Sequence, residues 1–340
     1  MPEELLTEAL ERVASGEDLD AATAGEALSV IMEGRSDDIQ TAGFLIALRT
    51  KGETTEELTG MARTMRNLAT AVEPTRTDVV DTAGTGGGPS TLNVSTVAAL
   101  VAAGAGCAVA KHGNRSSTSR CGSADLLEEL GVPLDLSPAE IVASIDGIGF
   151  GFMFAPLHHE AMRHVVPVRK ALGVRTAFNL LGPLTNPAGA RRQVVGVADG
   201  RFRRTIAEAL LALGAEHALV VSAEDGTDEI ALTAPTHVLE VTQGGIEEST
   251  VTPEDLGLRP ADPSEVAGGS PAENAEAARR ILDGEKSAGR DFVLANAAAA
   301  IFVAGRADTL QEGVGVAGES IDSGEAARIV ERLVGLGTER

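Results

Sequence analysis

The chain has 340 residues, 43% of them hydrophobic, enough to bury a substantial core in one large domain or two unequal ones. Its 50 acidic and 28 basic residues leave a formal charge of −22, which repels a phosphate backbone and argues against nucleic-acid binding. Two cysteines, Cys107 and Cys121, give neither a disulfide framework nor a metal-ligand spacing, and the longest apolar run, Val97 to Ala110, is too short to span a bilayer.

The start, MPEELLTEALERV, is acidic and helix-like where a secretory leader is basic and then apolar, so a cytoplasmic protein is expected. In LLTEAL, AGEALSVIMEG, IQTAGFLIALRTKG and LTGMARTMRNLA, apolar residues recur at spacings of three and four between short polar breaks. That pattern predicts a small helical domain over residues 1–72. Beyond AVEPTRT the texture changes to strand-like runs alternating with helical ones. VVDTA (79–83) predicts a strand, STVAALVAAGAG (95–106) a helix, CAVAKHG (107–113) a strand end, and SADLLEELG (123–131) a helix with Ser123 as N-cap. QVVGVAD and HALVVSAE predict two further strands; FRRTIAEALLALG, ENAEAARRILDGE and FVLANAAAAIFVAG predict helices. The expectation is an α/β domain over 73–340 with a mostly parallel central sheet flanked by helices, joined to the small domain through helices from about 158–180. In such sheets ligands lie at the carboxyl ends of strands.

Four stretches carry chemistry. GTGGGPSTLNVST, residues 84–96, follows the first strand with four glycines and then Ser90, Thr91, Asn93, Ser95 and Thr96. No Walker motif can be written through it, and Pro89 stands where a dinucleotide fingerprint needs its third glycine. The readings that remain are a tight strand-to-helix turn and a phosphate cradle of backbone amides at a helix N-terminus. AKHGNRSSTSRCGSADLLEELGV, residues 110–132, concentrates cations and hydroxyls at the next strand end, in a chain with only four lysines. It and the glycine loop follow consecutive strands and are placed to face each other across a diphosphate. DGTDEI, residues 225–230, puts Asp228 and Glu229 at a third strand end, and magnesium takes one or two carboxylates and leaves its other positions to water and phosphate. The stretch 152–189 carries His158, His159 and His164 together with Arg169, a guanidinium suited to a carboxylate. The histidines there are read as structural.

Taken together, GTGG…NVST, KHGNRSSTSRCGSADLLEELGV, DEI and VRTAFNLLGPLTNPAG resemble the anthranilate phosphoribosyltransferase family of tryptophan biosynthesis, and the N-terminal IMEGRSDDIQTAGFLIALRTKGE is similar to that family's helical domain. The resemblance covers nearly the whole chain. It implies a nucleoside-phosphorylase-like transferase fold, a homodimer formed through the helical domain, and transfer of a phosphoribosyl group from phosphoribosyl diphosphate (PRPP) to anthranilate without a covalent intermediate.

By the same resemblance, Gly84, Gly87, Gly88, Thr91, Asn93, Val94, Ser95, Thr96, Lys111, His112, Gly113, Asn114, Arg115, Ser116, Ser117, Thr118, Ser119 and Ser123 are expected to bind PRPP. Ser95, Asp228 and Glu229 are expected to hold two Mg2+ ions and, with Lys111, to carry catalysis. Gly84, His112, Asn114 and Arg169 are expected to contact anthranilate. The family's loop reads GTGGDG; this chain has GTGGGPST, with no aspartate and one residue fewer between Gly84 and Asn93, which changes the charge beside metal and diphosphate. A pyrimidine-nucleoside phosphorylase of the same fold class, and a transferase acting on another aromatic acceptor, are the alternative readings.

Overall fold

Capping residues set the N-terminal helical bundle. After the helix Pro2–Ala14, Asp20, Asp37 and Thr54 each accept a first-turn backbone N–H at the starts of the helices Ala21–Met32, Asp38–Lys51 and Thr55–Leu68, at 2.8, 2.7 and 3.3 Å. Each side-chain oxygen satisfies a donor that a helix leaves without an internal partner. Their apolar faces bury Leu6, Leu28, Phe44, Leu48, Leu58 and Met61, and this cluster runs on through Val165, Phe178 and Leu181 to Val195 and Val220 of the sheet. The structure, a computed structural model, describes residues 2–116 and 120–338.

The larger part is built on one seven-stranded sheet of order β3-β2-β1-β4-β5-β6-β7. The strands are β1 (Val79–Gly84), β2 (Ala108–Gly113), β3 (Phe150–Phe154), β4 (Arg192–Gly196), β5 (His217–Ala223), β6 (Thr236–Thr242) and β7 (Gly245–Val251). Neighbours from β3 through β5 are parallel, with Thr82 beside Val194 and His112 beside Met153; β5, β6 and β7 are antiparallel. The sheet is therefore mostly parallel, as expected. One of its faces packs on the helices Val94–Gly104 and Ala288–Val303 through Val97, Leu100, Val101, Phe292 and Ile301.

The chain runs outward from β1 through β2 to β3, then returns to the other side of β1 with β4. The crevice at the carboxyl ends of β1 and β4 is thus a topological switch point, where open α/β sheets bind ligands. The glycine loop leaves β1 there. Two local expectations change. Gly122, not Ser123, is the N-cap of the helix Ser123–Glu129, its N–H held by the Asp125 carboxylate at 2.9 Å. FGFMF, for which the sequence pattern predicts no element, is the edge strand β3.

Candidate active site

A cleft of about 620 Å3 opens at the carboxyl ends of β1 and β2. One wall holds Thr82, Gly84, Gly86, Ser95, Lys111, His112, Gly113, Asn114, Arg115, Ser116 and Ser123; the other holds His159, Met162, Val166, Arg169, Phe178 and Asn179. Among the expected site residues, Gly87, Gly88, Thr91, Asn93, Val94, Thr96, Asp228 and Glu229 are not part of this lining, and Ser117, Thr118 and Ser119 lie outside the described residues.

The floor is an ionic knot inside two strands. Lys111 is 1% exposed, and its Nζ donates to the Thr82 carbonyl at 2.5 Å and to Thr82 Oγ1 at 3.1 Å. Burial lowers its ammonium pKa, while the nearby Asp81 and Glu229 carboxylates oppose that shift. Asp81 is fully buried in β1; its Oδ1 accepts the His112 N–H at 3.1 Å, and burial pushes the carboxyl up against the pull of Lys111.

In the glycine loop, backbone packs against charged side chains. The Gly86 N–H donates to Asp228 Oδ2 at 3.0 Å, and Arg175 donates to the carbonyls of Gly86 and Thr85 at 2.6 and 3.0 Å. Gly87 has φ +98°, and a Cβ there would fall 1.9 Å from Arg175 Nη1; at Gly88 it would fall 2.6 Å from the Gly226 carbonyl. The glycines therefore serve close packing as well as a turn. Further along, the loop is pinned to the segment 266–274. Leu92 N–H donates to Val266 O, Gly268 N–H donates to Ser90 O, and Thr91 bridges Ala267. The Asn93 amide donates to Cys121 O at 2.9 Å and accepts from Asn274 Nδ2 at 2.8 Å. Val94 is buried in the core, and Thr96 is buried with its hydroxyl unpartnered among the described residues.

Asp228 and Glu229 form the acidic element beneath the loop. Burial raises the Asp228 carboxyl pKa against the Gly86 N–H and Arg175, and burial with the adjacent Asp228 charge raises Glu229 well above the carboxylate range. The Ser95 N–H points at Glu229, at the N-terminus of the helix Val94–Gly104. Two desolvated, mutually repelling carboxylates beside a serine are a donor set in want of a cation. Among the described residues no cluster of three or more His, Cys, Asp or Glu is built to hold a metal. A hard ion sharing its coordination with water and phosphate is the kind these residues fit.

The opposite wall is apolar with polar ends. The Arg169 guanidinium lies 5.4 Å over the Phe178 ring, half-buried. His112 and His159 are buried, and burial together with neighbouring histidines lowers them to about 3 and about 4. At neutral pH both are uncharged. His158 Nδ1 lies 3.0 Å from Thr70 O, a structural contact as expected. At the mouth, Arg115 holds Asp125 at 2.9 Å and Glu128 at 2.7 Å, and Asn114 Oδ1 accepts the Arg115 N–H at 2.7 Å.

The sequence alone assigns no role to Asp81, Arg175 or Asn179, and reads His159, which lines the cleft, as structural. Asp81 has a visible signal, a carboxylate inside an otherwise apolar strand. Arg175 has none, because nothing in VRTAFN says that it reaches the loop after β1.

Residues 76–327 match the family model described as "Glycosyl transferase family, a/b domain", and residues 7–69 match "Glycosyl transferase family, helical bundle domain". A curated relative from Rubrobacter xylanophilus, an anthranilate phosphoribosyltransferase, is 53% identical over 332 residues, covering 97% of each chain. One of the same name from Symbiobacterium thermophilum is 52% identical over 325 residues, covering 95% of each. Among solved structures, the anthranilate phosphoribosyltransferase of Thermus thermophilus superposes with a TM-score of 0.91 at 47% identity, over 96% of this chain and 98% of that one. The Saccharomyces cerevisiae protein of that name, in complex with PRPP and Mg, superposes with a TM-score of 0.92 at 28% identity, over 99% of both. With both halves matched and relatives of over half identity aligned almost end to end, the chain belongs to the anthranilate phosphoribosyltransferase family.

Proposed function

We propose that the protein transfers the phosphoribosyl group of PRPP to the amino group of anthranilate, giving N-(5-phosphoribosyl)anthranilate and diphosphate in tryptophan biosynthesis. The observation that carries this reading is the two-sided cleft, with amides, hydroxyls and a buried lysine on one wall and an arginine over an aromatic ring on the other.

An arylamine is a free base at neutral pH, so its attack on ribose C1 needs no strong general base. As the new C–N bond forms, the C1–O bond breaks, its electron pair leaves on diphosphate, and the amine sheds a proton to solvent. The difficulty is the charge that collects on the leaving group. Catalysis then comes from positioning, worth up to about 7–11 kcal/mol in favourable cases, and from preorganised charge. Lys111 and the loop amides supply that charge here, with the segment Lys111–Ser119 and Ser123 along the donor. Arg169 holds the acceptor carboxylate, and the neutral His112 sits beside the ring without a charge to compete for it. Ser95, Asp228 and Glu229 would hold magnesium, and we take the count as two ions. When bound, the metal neutralises phosphate oxygens.

We read the chain as a helical domain over 1–72 and an α/β domain over 73–340, in a cytoplasmic homodimer. Ile39, 83% exposed, lies on the helix Asp38–Lys51 and offers an apolar contact to a second copy. Among the described residues no helix is long and apolar enough to cross a membrane.

The test is loss of anthranilate fluorescence on adding PRPP, with and without magnesium. Magnesium-dependent consumption supports the reading. A folded protein that binds PRPP and leaves anthranilate untouched points to another acceptor.

A further inference from the structure

Arg175 lies outside the cleft lining. It reaches the glycine loop from behind, through a second, smaller cavity of about 290 Å3 that shares Thr85 and Asn179 with the first. Its guanidinium holds two successive carbonyls, Gly86 at 2.6 Å and Thr85 at 3.0 Å. A trans peptide points its N–H away from its own carbonyl. Fixing Thr85 O on Arg175 therefore turns the Gly86 N–H away, and it meets Asp228 Oδ2 at 3.0 Å. Fixing Gly86 O does the same for the Gly87 N–H, which is directed away from the guanidinium.

The clamp is built tightly. Gly87 adopts φ +98° with the guanidinium where its Cβ would stand, so no larger residue fits while Arg175 keeps its place. The chain on the other side is also set, because Asn179 Oδ1 accepts the Thr176 N–H at 3.0 Å. A planar fork with several donors suits two adjacent carbonyls; an ammonium, as a point donor, satisfies them less well.

We propose that Arg175 is a positioning residue for the donor half of the reaction. From outside the cleft and without touching substrate, it fixes the backbone of the glycine loop and, through the Gly86 N–H, the Asp228 carboxylate beneath it. This rests on the transferase reading above. Its loss should weaken PRPP binding and slow transfer while leaving the acceptor wall intact.

The experiment compares wild type, Arg175→Ala, Arg175→Lys and Gly87→Ala in steady-state assays with both substrates varied, alongside calorimetric titration with magnesium-PRPP. A wild-type protein that consumes no anthranilate defeats the transferase reading, and the PRPP titrations then judge the clamp by themselves. With an active wild type, Arg175→Ala should raise the KM for PRPP and its dissociation constant at least tenfold, with the KM for anthranilate changed less than twofold. Arg175→Lys should recover part of the loss, and millimolar methylguanidinium should restore activity to Arg175→Ala. Gly87→Ala, which expels the guanidinium, should reproduce the signature if Arg175→Ala fails to fold. Unchanged PRPP constants, or equal losses toward both substrates with no recovery by lysine or methylguanidinium, overturn the proposal.

Discussion

His112 and His159 face each other with ring centroids 5.1 Å apart and planes tilted by 57°, both rings buried, with only the backbone of Gly182 and of Thr185 beside them to favour a charge. Two imidazoles in that position are tolerable only uncharged. An unfolded chain protonates them near pH 6.5, whereas burial holds the folded values at about 3 and about 4. Between those limits the unfolded state binds more protons, so stability falls as pH falls. The contribution is complete above about pH 6.5 and declines by ~1.4 kcal/mol per pH unit for each group until its folded value is reached. The raised carboxyls of Asp81, Asp228 and Glu229 act in the opposite sense, because protonation relieves them. A His159→Asn variant separates the two. Urea midpoints from pH 8 to pH 5 should decline less steeply in the variant than in wild type, and parallel profiles would sink the argument.

The acid pair predicts a trade between stability and metal response. Glu229 carries the cost of burial beside a second negative group, and nothing among the described residues neutralises it except the partial help of Lys111 and the Ser95 N–H. Glu229→Gln should therefore melt higher than wild type without metal. In wild type, magnesium at a hundredfold excess over its dissociation constant should add about 2.7 kcal/mol of stability. The variant should gain much less from magnesium and lose most transfer activity. Thermal melts with and without millimolar magnesium decide it; a variant that melts lower without metal and still responds fully would refute the pairing.

Lys111 and Asp81 are predicted to depend on each other. Lys111 makes no direct ion pair with Asp81, but removing it withdraws the nearby positive charge that opposes the burial of the Asp81 carboxylate, and should destabilise the fold. Lys111→Met keeps the volume and should show that loss of stability, with transfer reduced on the order of 100-fold or more from the missing charge at the leaving group. Adding Asp81→Asn should recover most of the stability and little of the rate. Recovery of both would make Lys111 structural alone.

Much of this fold was legible because periodicity is local information. The helical bundle shows in the three- and four-residue spacing of its apolar positions, and β1, β2, β4 and β5 show as short apolar runs before helical ones. β3 was hidden because FGFMF lacks alternation and runs directly into a helical turn, so period alone cannot assign it. The candidate cleft was legible where its lining is contiguous in sequence, as in Lys111 to Ser116. It was illegible where the contact crosses the fold. Arg175 meets Gly86 across 89 residues, and Asp228 meets it across 142. Asn93, expected on the donor, has an amide that ties Cys121 O to Asn274, a pairing no spacing announces.

Gly88 stands where the family's GTGGDG loop carries its aspartate, and the geometry explains why the shortened loop takes a residue without a side chain there. A Cβ at Gly88 would lie 2.6 Å from the Gly226 carbonyl and 3.2 Å from Asp228 Oδ1. The first is a clash with backbone that has to shift. Gly88→Ala should therefore lose about 1–3 kcal/mol, the usual cost of forcing extra volume into a packed site. Gly88→Asp adds a third carboxylate beside Asp228 and Glu229, whose charges already repel, so it should melt lower still without metal. Millimolar magnesium should then recover more stability in Gly88→Asp than in Gly88→Ala, because a cation offsets the added charge and leaves the clash in place. Melting both variants with and without magnesium separates the two effects. If Gly88→Asp melts like wild type in either condition, the loop has room that this packing denies.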